Sequence, residues 1–268
     1  MKLRVLVFGP IAALALSACG AATDAGGSAA TSSTAASSGA ELTGTLTVFA
    51  AASLTDVFTG LGDQLMADNP GLDVQFNFAA SSALATQITQ GAPADVFTSA
   101  NEAQMKVVTD AGLQGDDPAV FTENVLEIAV PADNPGHVTG LADFAKPNLT
   151  LAICAPAVPC GAATAKVFQA AGITAVPDTE EEDVRAALTK VELGEVDAAL
   201  VYASDVASAD DKVKGIAFPE AEQAINKYPI CTLKDAANPE AAQAFLDLVL
   251  SDAGQQALEA AGFRGPSN

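Results

Sequence analysis

A short pattern that occurs twice in the N-terminal half of the chain constrains the fold more than any other feature. The apolar run at residues 45–50 leads through small residues into Ser53, and the run at residues 72–78 leads in the same way into Ser81. In both places the pattern predicts a strand followed by a helix, with the serine at the helix N-cap. The first N–H groups of a helix lack intrahelical acceptors, and the helix dipole places partial positive charge there. Two such ends with hydroxyl groups predict a small site for an oxyanion.

The remaining sequence continues to alternate between strand and helix patterns, which predicts an α/β fold with mostly parallel sheets flanked by helices. Strands are predicted at residues 46–49, 74–78, 96–98, 126–130, 149–153 and 198–202. Helices are predicted at residues 53–67, 81–90, 101–111, 162–171, 181–193, 239–250 and 253–261. The last two helices are expected to return to the first block, which gives two lobes joined by two crossing segments. The first lobe then comprises residues 42–124 and 229–268, and the second comprises residues 125–228.

The N-terminal segment predicts export. Lys2 and Arg4 precede an apolar stretch that is too short for the roughly 20 residues of a membrane-spanning helix, so residues 1–18 are predicted to be a secretory signal. The sequence LSAC at its end resembles a bacterial lipobox, which implies that Cys19 is lipidated and anchors the chain to the outer face of the cytoplasmic membrane. An ordinary signal followed by an unmodified cysteine is the alternative. Residues 19–41, rich in Ala, Gly, Ser and Thr, are predicted to be a flexible tether.

Longer stretches of the chain resemble one known family, the molybdate-binding proteins of ABC-type molybdate importers. The similarity lies in the runs TVFAAASLTDVF, FNFAASSALATQITQGAPADVFTSAN, APAVPCG, EEDVRAALTKVELGEVDAALVYASD and NKYPI, and extends over nearly all of residues 42–265. The resemblance implies a two-lobed periplasmic-binding-protein fold of type II that closes about a hinge. It also implies extracytoplasmic capture of molybdate or tungstate and delivery to an ABC permease and its ATPase.

Five oxyanion-binding groups follow from the same resemblance. They are the hydroxyls of Ser53 and Ser81, the backbone N–H groups of Cys160 and Val184, and the phenol of Tyr202. Molybdenum would be bound only as the oxyanion, through these groups, and neither a catalytic residue nor a cofactor is implied. The cysteine is a departure, because relatives usually carry alanine at the position after Val-Pro. Since only a backbone N–H is needed there, binding is expected to survive the change.

Several of these residues also have ordinary structural interpretations. A serine such as Ser53 at the start of a helix contributes about 1 kcal/mol as a cap. Taken alone, Tyr202 suits a half-buried strand and Val184 suits the core-facing side of a helix. The side chain of Arg185 is predicted to pair with an acidic neighbour among residues 180–183 rather than to hold the anion.

Three cysteines remain if Cys19 is lipidated, and an oxidising compartment favours a disulfide among them. Cys154 and Cys160 enclose a short loop, so they are the candidate pair, and a bridge would make the turn that presents the Cys160 N–H more rigid. Cys231 is then buried and free. A metal site made of these cysteines is not expected, because no histidine is near them.

The charge and the motifs exclude several classes of function. The net charge of −21 argues against nucleic acid and anionic membrane surfaces as partners. The chain is also expected to be a monomer. Sulfate or another oxyanion is the main alternative ligand, because sulfate is also an unprotonated dianion that only cavity size can reject. A ferric site calls for clustered tyrosines, and the chain has only Tyr202 and Tyr228. A secreted serine hydrolase is a distant alternative, since Gly-x-Ser-x-Gly is absent and His137 is the single histidine.

Overall fold

The computed structural model describes residues 41–267, so the predicted signal peptide, Cys19 and nearly all of the tether lie outside the described part. The strands are β1 (Thr43–Ala51), β2 (Gly71–Ala79), β3 (Val96–Thr98), β4 (Ala119–Asn124), β5 (Leu126–Pro131), β6 (Leu151–Cys154), β7 (Thr179–Glu181), β8 (Ala198–Tyr202), β9 (Val213–Ile216) and β10 (Asn226–Thr232). The helices are α1 (Thr55–Asp68), α2 (Ser81–Thr89), α3 (Glu102–Asp110), α4 (Pro159–Ala171), α5 (Val184–Glu192), α6 (Ala203–Ser208), α7 (Pro239–Leu250) and α8 (Asp252–Ala260). None of the helices in this part is long and apolar enough to cross a membrane.

Two five-stranded sheets organise these elements. The first has the order β2-β1-β3-β10-β4 and, with α1, α2, α3, α7 and α8, makes the first lobe. The second has the order β7-β6-β8-β5-β9 and, with α4, α5 and α6, makes the second lobe. The chain crosses from the first lobe to the second between β4 and β5, and it returns with β10. The lobe boundary predicted after residue 228 therefore cuts through β10, which pairs with β4 from Asn226 onward.

Each sheet has four strands that run in one direction and one that runs the opposite way, so the prediction of mostly parallel sheets is confirmed. Strand β10 runs antiparallel to β3 and β4, and β5 runs antiparallel to β8 and β9, while the other pairings are parallel. The reversed strand in each sheet is the one that arrives from the other lobe. Strands of the βα units end at the cleft, whereas a crossing strand begins there, so it must run the opposite way.

Alternating side chains of β1 fill the cores on both faces of the first sheet. Leu46 and Val48 pack with Phe58 and Phe245 on one face, and Phe49 packs with residues of α2 and α3 on the other. Successive side chains of a strand point to opposite faces, so a strand covered by helices on both sides must be apolar throughout. The last three residues of the TLTVFA run are apolar and buried and meet this requirement, and their burial holds the end of β1 in place.

The sequence pattern identified the strongly apolar elements and missed the others. Strands β3 and β8 and helix α7 begin and end where they were predicted. Strands β4, β7, β9 and β10 were missed. Pro229 interrupts the apolar pattern of β10, and the pairing with β4 shifts register between Tyr228 and Pro229. A proline inside a run argues against a strand, and only the bulge reconciles it with the sheet.

Candidate functional site

The turns that follow the strands of both lobes meet around a small cavity. Its volume is about 20 Å³ for the centre of a water-sized sphere, which is room for a small ion rather than for an organic substrate. Small and apolar residues form most of the wall. The five residues predicted to bind the oxyanion all line it: Ser53, Ser81, Cys160, Val184 and Tyr202. The structure thus brings together every predicted position, and their role as ligands stays a prediction.

The two serines line the cavity without capping a helix, contrary to the sequence prediction. Ser53 lies inside a 3-10 turn that precedes α1, and Ser81 is the first residue of α2, whose N-cap is Ala80. Neither helix start has a side-chain cap, and both serine hydroxyls make hydrogen bonds elsewhere. The Oγ of Ser53 lies 2.9 Å from the Oη of Tyr228, and the Oγ of Ser81 accepts the N–H of Ala100 at 2.9 Å. Because the Ser81 oxygen is an acceptor in that bond, its proton remains available to the cavity.

Two helix starts of the second lobe present backbone donors. Cys160 is the second residue of α4 and Val184 is the first residue of α5. Their positions leave both N–H groups without intrahelical acceptors. Asp183, which also lines the cavity, caps α5 by accepting the N–H of Ala186 at 2.9 Å. The Asp183 carboxylate therefore already accepts a hydrogen bond from the start of α5.

Tyr202 ends β8 and is almost completely buried. Its Oη accepts a hydrogen bond of 2.9 Å from the Nδ2 of Asn226. Burial raises the pKa of the Tyr202 phenol well above its ordinary value, and the neighbouring Tyr228 and Asp205 add to the effect. The phenol is therefore protonated at neutral pH and serves as a donor rather than as an anion.

Arg185 does not pair with residues 180–183 as predicted; it reaches the other lobe. Its Nη2 forms an ion pair with Asp56 of α1, and its Nε lies 3.4 Å from the carbonyl oxygen of Ala52. Within its own lobe it faces the buried Asp205, at 3.4 Å from Nε to Oδ1. The guanidinium therefore stays outside the cavity wall and joins the two lobes beside it. Sequence spacing missed this because Asp56 is far away along the chain.

The predicted disulfide is present. Cys154, the last residue of β6, is bonded to Cys160, and the bridge closes the loop that leads into α4. The loop lies so close to the helix start that a Cβ on Gly161 would come 1.9 Å from the carbonyl oxygen of Ala155, which only glycine avoids. Cys231 is buried and free, as predicted, and burial raises the pKa of its thiol to about 12.

Residues that support the cavity from behind were missed by the sequence analysis. Tyr228 and Asn226 hold Ser53 and Tyr202 respectively, and both come from the start of β10. The run NKYPI contains them, so the similarity of that run to the known family was the available signal. Within residues 41–267, no group of three or more His, Cys, Asp or Glu side chains is placed to hold a metal ion.

Comparison with known proteins gives consistent results. A family profile described as bacterial extracellular solute-binding protein matches residues 46–264. The molybdate-binding protein ModA of Mycobacterium tuberculosis H37Rv is 46% identical over 221 residues, which cover 82% of this chain and 85% of the relative. ModA of Escherichia coli K12 is 33% identical over 235 residues, covering 82% and 89%. The solved periplasmic molybdate-binding protein of Azotobacter vinelandii superposes with a TM-score of 0.71 at 21% identity, covering 83% of this chain and 100% of that one. This likeness confirms the two-lobed fold.

Proposed function

Because the chain belongs to the bacterial extracellular solute-binding proteins, we propose that it captures molybdate, and tungstate with it, between its two lobes. It is a binding protein and not an enzyme, as predicted, since its relatives are binding proteins. The oxyanion is its ligand rather than a cofactor. Capture and delivery take place outside the cytoplasm, where the chain hands this ligand to the permease of an ABC transporter, which works with its own ATPase.

The observation that carries this proposal is the convergence of donors from both lobes on one ion-sized cavity. Ser53 and Ser81 belong to the first lobe, while Cys160, Val184 and Tyr202 belong to the second. An anion that accepts hydrogen bonds from both sets satisfies all of them only when the lobes are closed. Ligand binding would then favour the closed state by its differential affinity for it.

The same donor set supports a preference for fully ionised oxyanions. Molybdate and tungstate carry no proton at neutral pH, so each of their oxygens can accept. Phosphate keeps a proton at that pH, and a buried donor facing another donor costs about 1–3 kcal/mol. Sulfate has the right charge, and the size of the cavity has to exclude it.

We also propose that the mature chain begins at a lipidated Cys19 and acts as a monomer. The support is the LSAC sequence after an apolar segment, followed by a tether without hydrophobic patterning. A tethered binding protein remains near its permease while its lobes open and close. Mass spectrometry of the mature N-terminus tests the lipid, and a Cys19→Ala chain should be released from the membrane.

Isothermal titration of the mature chain in detergent tests the ligand. Molybdate and tungstate are expected to bind tightly at one to one, with sulfate and phosphate binding far more weakly. Ser53→Ala and Ser81→Ala should each weaken molybdate binding about tenfold, since each removes a donor worth on the order of 1.4 kcal/mol. Ser82→Ala is the matched control, because Ser82 adjoins Ser81 but does not line the cavity. Equal binding of sulfate would contradict the choice of ligand, and no binding of any oxyanion would contradict the site.

A further inference from the structure

Asn226 lies directly behind the cavity and connects two of its walls. It is the first residue of β10, only 7% exposed, and does not line the cavity itself. Its Nδ2 donates to the carbonyl oxygen of Ala100 at 2.6 Å and to the Oη of Tyr202 at 2.9 Å. A backbone carbonyl can only accept, so the amide must turn its nitrogen toward Ala100. Both hydrogens of the amide nitrogen are thereby used.

These two bonds restrict what Tyr202 and Ser81 can do. The Tyr202 oxygen already accepts from Asn226, so its single proton is left for an oxyanion in the cavity or for the neighbouring Tyr228 hydroxyl. Ala100 is held by Asn226 through its carbonyl and donates its own N–H to the Oγ of Ser81 at 2.9 Å. The Ser81 oxygen is therefore also an acceptor, and its proton is likewise free. One amide thus acts on a group of the first lobe and on a group of the second.

We propose that Asn226 is a positioning residue that holds Tyr202 and Ser81 as hydrogen-bond donors to the oxyanion. The inference rests on the proposed function of the cavity and names the residue that sets its donor character. Without this amide, the Tyr202 hydroxyl is free to rotate. Its oxygen can then accept a hydrogen bond from a protonated ligand such as hydrogen phosphate. With the amide in place, the Tyr202 oxygen already accepts one hydrogen bond and is a poorer acceptor for a ligand proton. Asn226 therefore contributes both to affinity for unprotonated oxyanions and to rejection of protonated ones.

A double-mutant cycle on molybdate binding separates this role from a merely structural one. Tyr202→Phe is expected to weaken binding about tenfold, as is typical of losing one hydrogen bond to a charged ligand. Asn226→Ala removes the group that orients Tyr202 and is expected to weaken binding by about the same factor. In the Tyr202→Phe chain, Asn226→Ala should weaken binding at least fivefold less than it does alone, because its main target is already gone. If the two effects multiply without coupling, Asn226 does not act through Tyr202 and the proposal is wrong.

The matched control is Asn124→Ala, which removes a second buried amide. Asn124 pairs with Asn226 in the sheet register, and its Nδ2 donates to Ser204 at 2.7 Å instead of to Tyr202. Its effect should multiply with that of Tyr202→Phe. Coupling as large as that of Asn226 would show a general loosening of the strand and would overturn the proposal.

Asn226→Asp provides a second readout and keeps the shape of the side chain if the alanine variant fails to fold. A carboxylate cannot donate, so the Tyr202 proton should turn toward it and leave the cavity. The ratio of the dissociation constants for phosphate and molybdate, measured by competition, should fall at least tenfold. An unchanged ratio contradicts the proposal, because a structural defect weakens both ligands alike. If the unaltered chain binds no oxyanion, the proposed function is wrong and not only the role of Asn226. If the unaltered chain binds sulfate, the same double-mutant cycle is measured with sulfate.

Discussion

Arg185, which follows the cavity-lining Val184 in the second lobe, forms an ion pair with Asp56 of the first lobe. The same side chain reaches the carbonyl oxygen of Ala52, which also belongs to the first lobe. These contacts need the lobes to be together, so they favour the closed arrangement over any open one. The chain thus has an attraction between its lobes that is independent of a bound anion.

Removing the Asp56 carboxylate should weaken ligand binding modestly. Asp56→Asn keeps the shape of the side chain and takes away the partner of Arg185, whose other contacts remain. The Asp56 side chain is 62% exposed, so the ion pair is worth about 0.5–1 kcal/mol and its loss should weaken molybdate binding two- to fivefold. Isothermal titration at low salt measures the change.

Two controls apply to this prediction. Asp63→Asn makes the same charge change on an exposed residue of α1 and should leave affinity unchanged. The difference between Asp56→Asn and the unaltered chain should shrink at high salt, because exposed charges are screened. A difference that persists in about 1 M salt, where the Debye length is only about 3 Å, would mean that packing rather than charge joins the lobes.

Asp205 should make the stability of the chain depend on pH. Burial raises the pKa of this carboxyl from 3.8 to about 7, although Arg185 opposes the effect, and Asp183 and Asp56 add to it. The native state therefore holds this proton more tightly than the unfolded state does. The contribution of Asp205 to the free energy of unfolding is fully present below about pH 4 and is lost as the pH rises through about 7. The loss is at most about 4 kcal/mol.

Urea unfolding between pH 4.5 and 7.5 measures this effect in the unaltered chain and in Asp205→Asn. The unaltered chain should lose stability relative to the variant as the pH rises over that range. Asp211→Asn, a change of the same kind at an exposed residue, is the control and should follow the unaltered chain. Parallel pH profiles for the unaltered chain and Asp205→Asn would show that Asp205 is ionised at every pH in this range.

Removing the disulfide should affect both stability and binding. Replacing Cys154 and Cys160 by serine opens a short loop, and loop-closure entropy for a loop of this length amounts to about 2 kcal/mol of unfolding free energy. Because this loop presents the Cys160 N–H, molybdate binding should also weaken several-fold. Thermal unfolding and titration of the double variant measure the two effects. Cys231→Ala controls for thiol removal, and a stability loss with unchanged affinity would show that α4 holds the N–H without the bridge.

Tyr228→Phe should weaken binding through Ser53. The substitution removes the hydroxyl that lies 2.9 Å from the Ser53 Oγ, while the ring keeps its edge-to-face contacts with Phe121 and Phe263. Losing one buried hydrogen bond of about 1 kcal/mol predicts about fivefold weaker molybdate binding. In a Ser53→Ala chain the same substitution should have little further effect on affinity. An equal effect in both backgrounds would mean that Tyr228 acts on the site by another route.

Local patterns determined part of this protein in advance. The run TLTVFA is short and apolar apart from its two threonines, so it predicts a largely buried strand, and the small residues that follow predict the turn into a helix. The spacing of Cys154 and Cys160 similarly made their disulfide predictable. By contrast, β10 escaped prediction because Pro229 breaks its pattern, and its place in the sheet depends on partners more than 100 residues away.

The sequence by itself determined the strongly patterned strands and helices, the candidate oxyanion groups and the short-range disulfide, because these depend on neighbours along the chain or on motifs shared with a known family. Only the tertiary structure decided that the serines do not cap their helices, that Arg185 pairs with Asp56, and that Asn226 and Tyr228 support the cavity. Each of these depends on which polar group finds a partner when it is buried. That choice is made between residues far apart in sequence, after the two lobes have packed and water has been excluded.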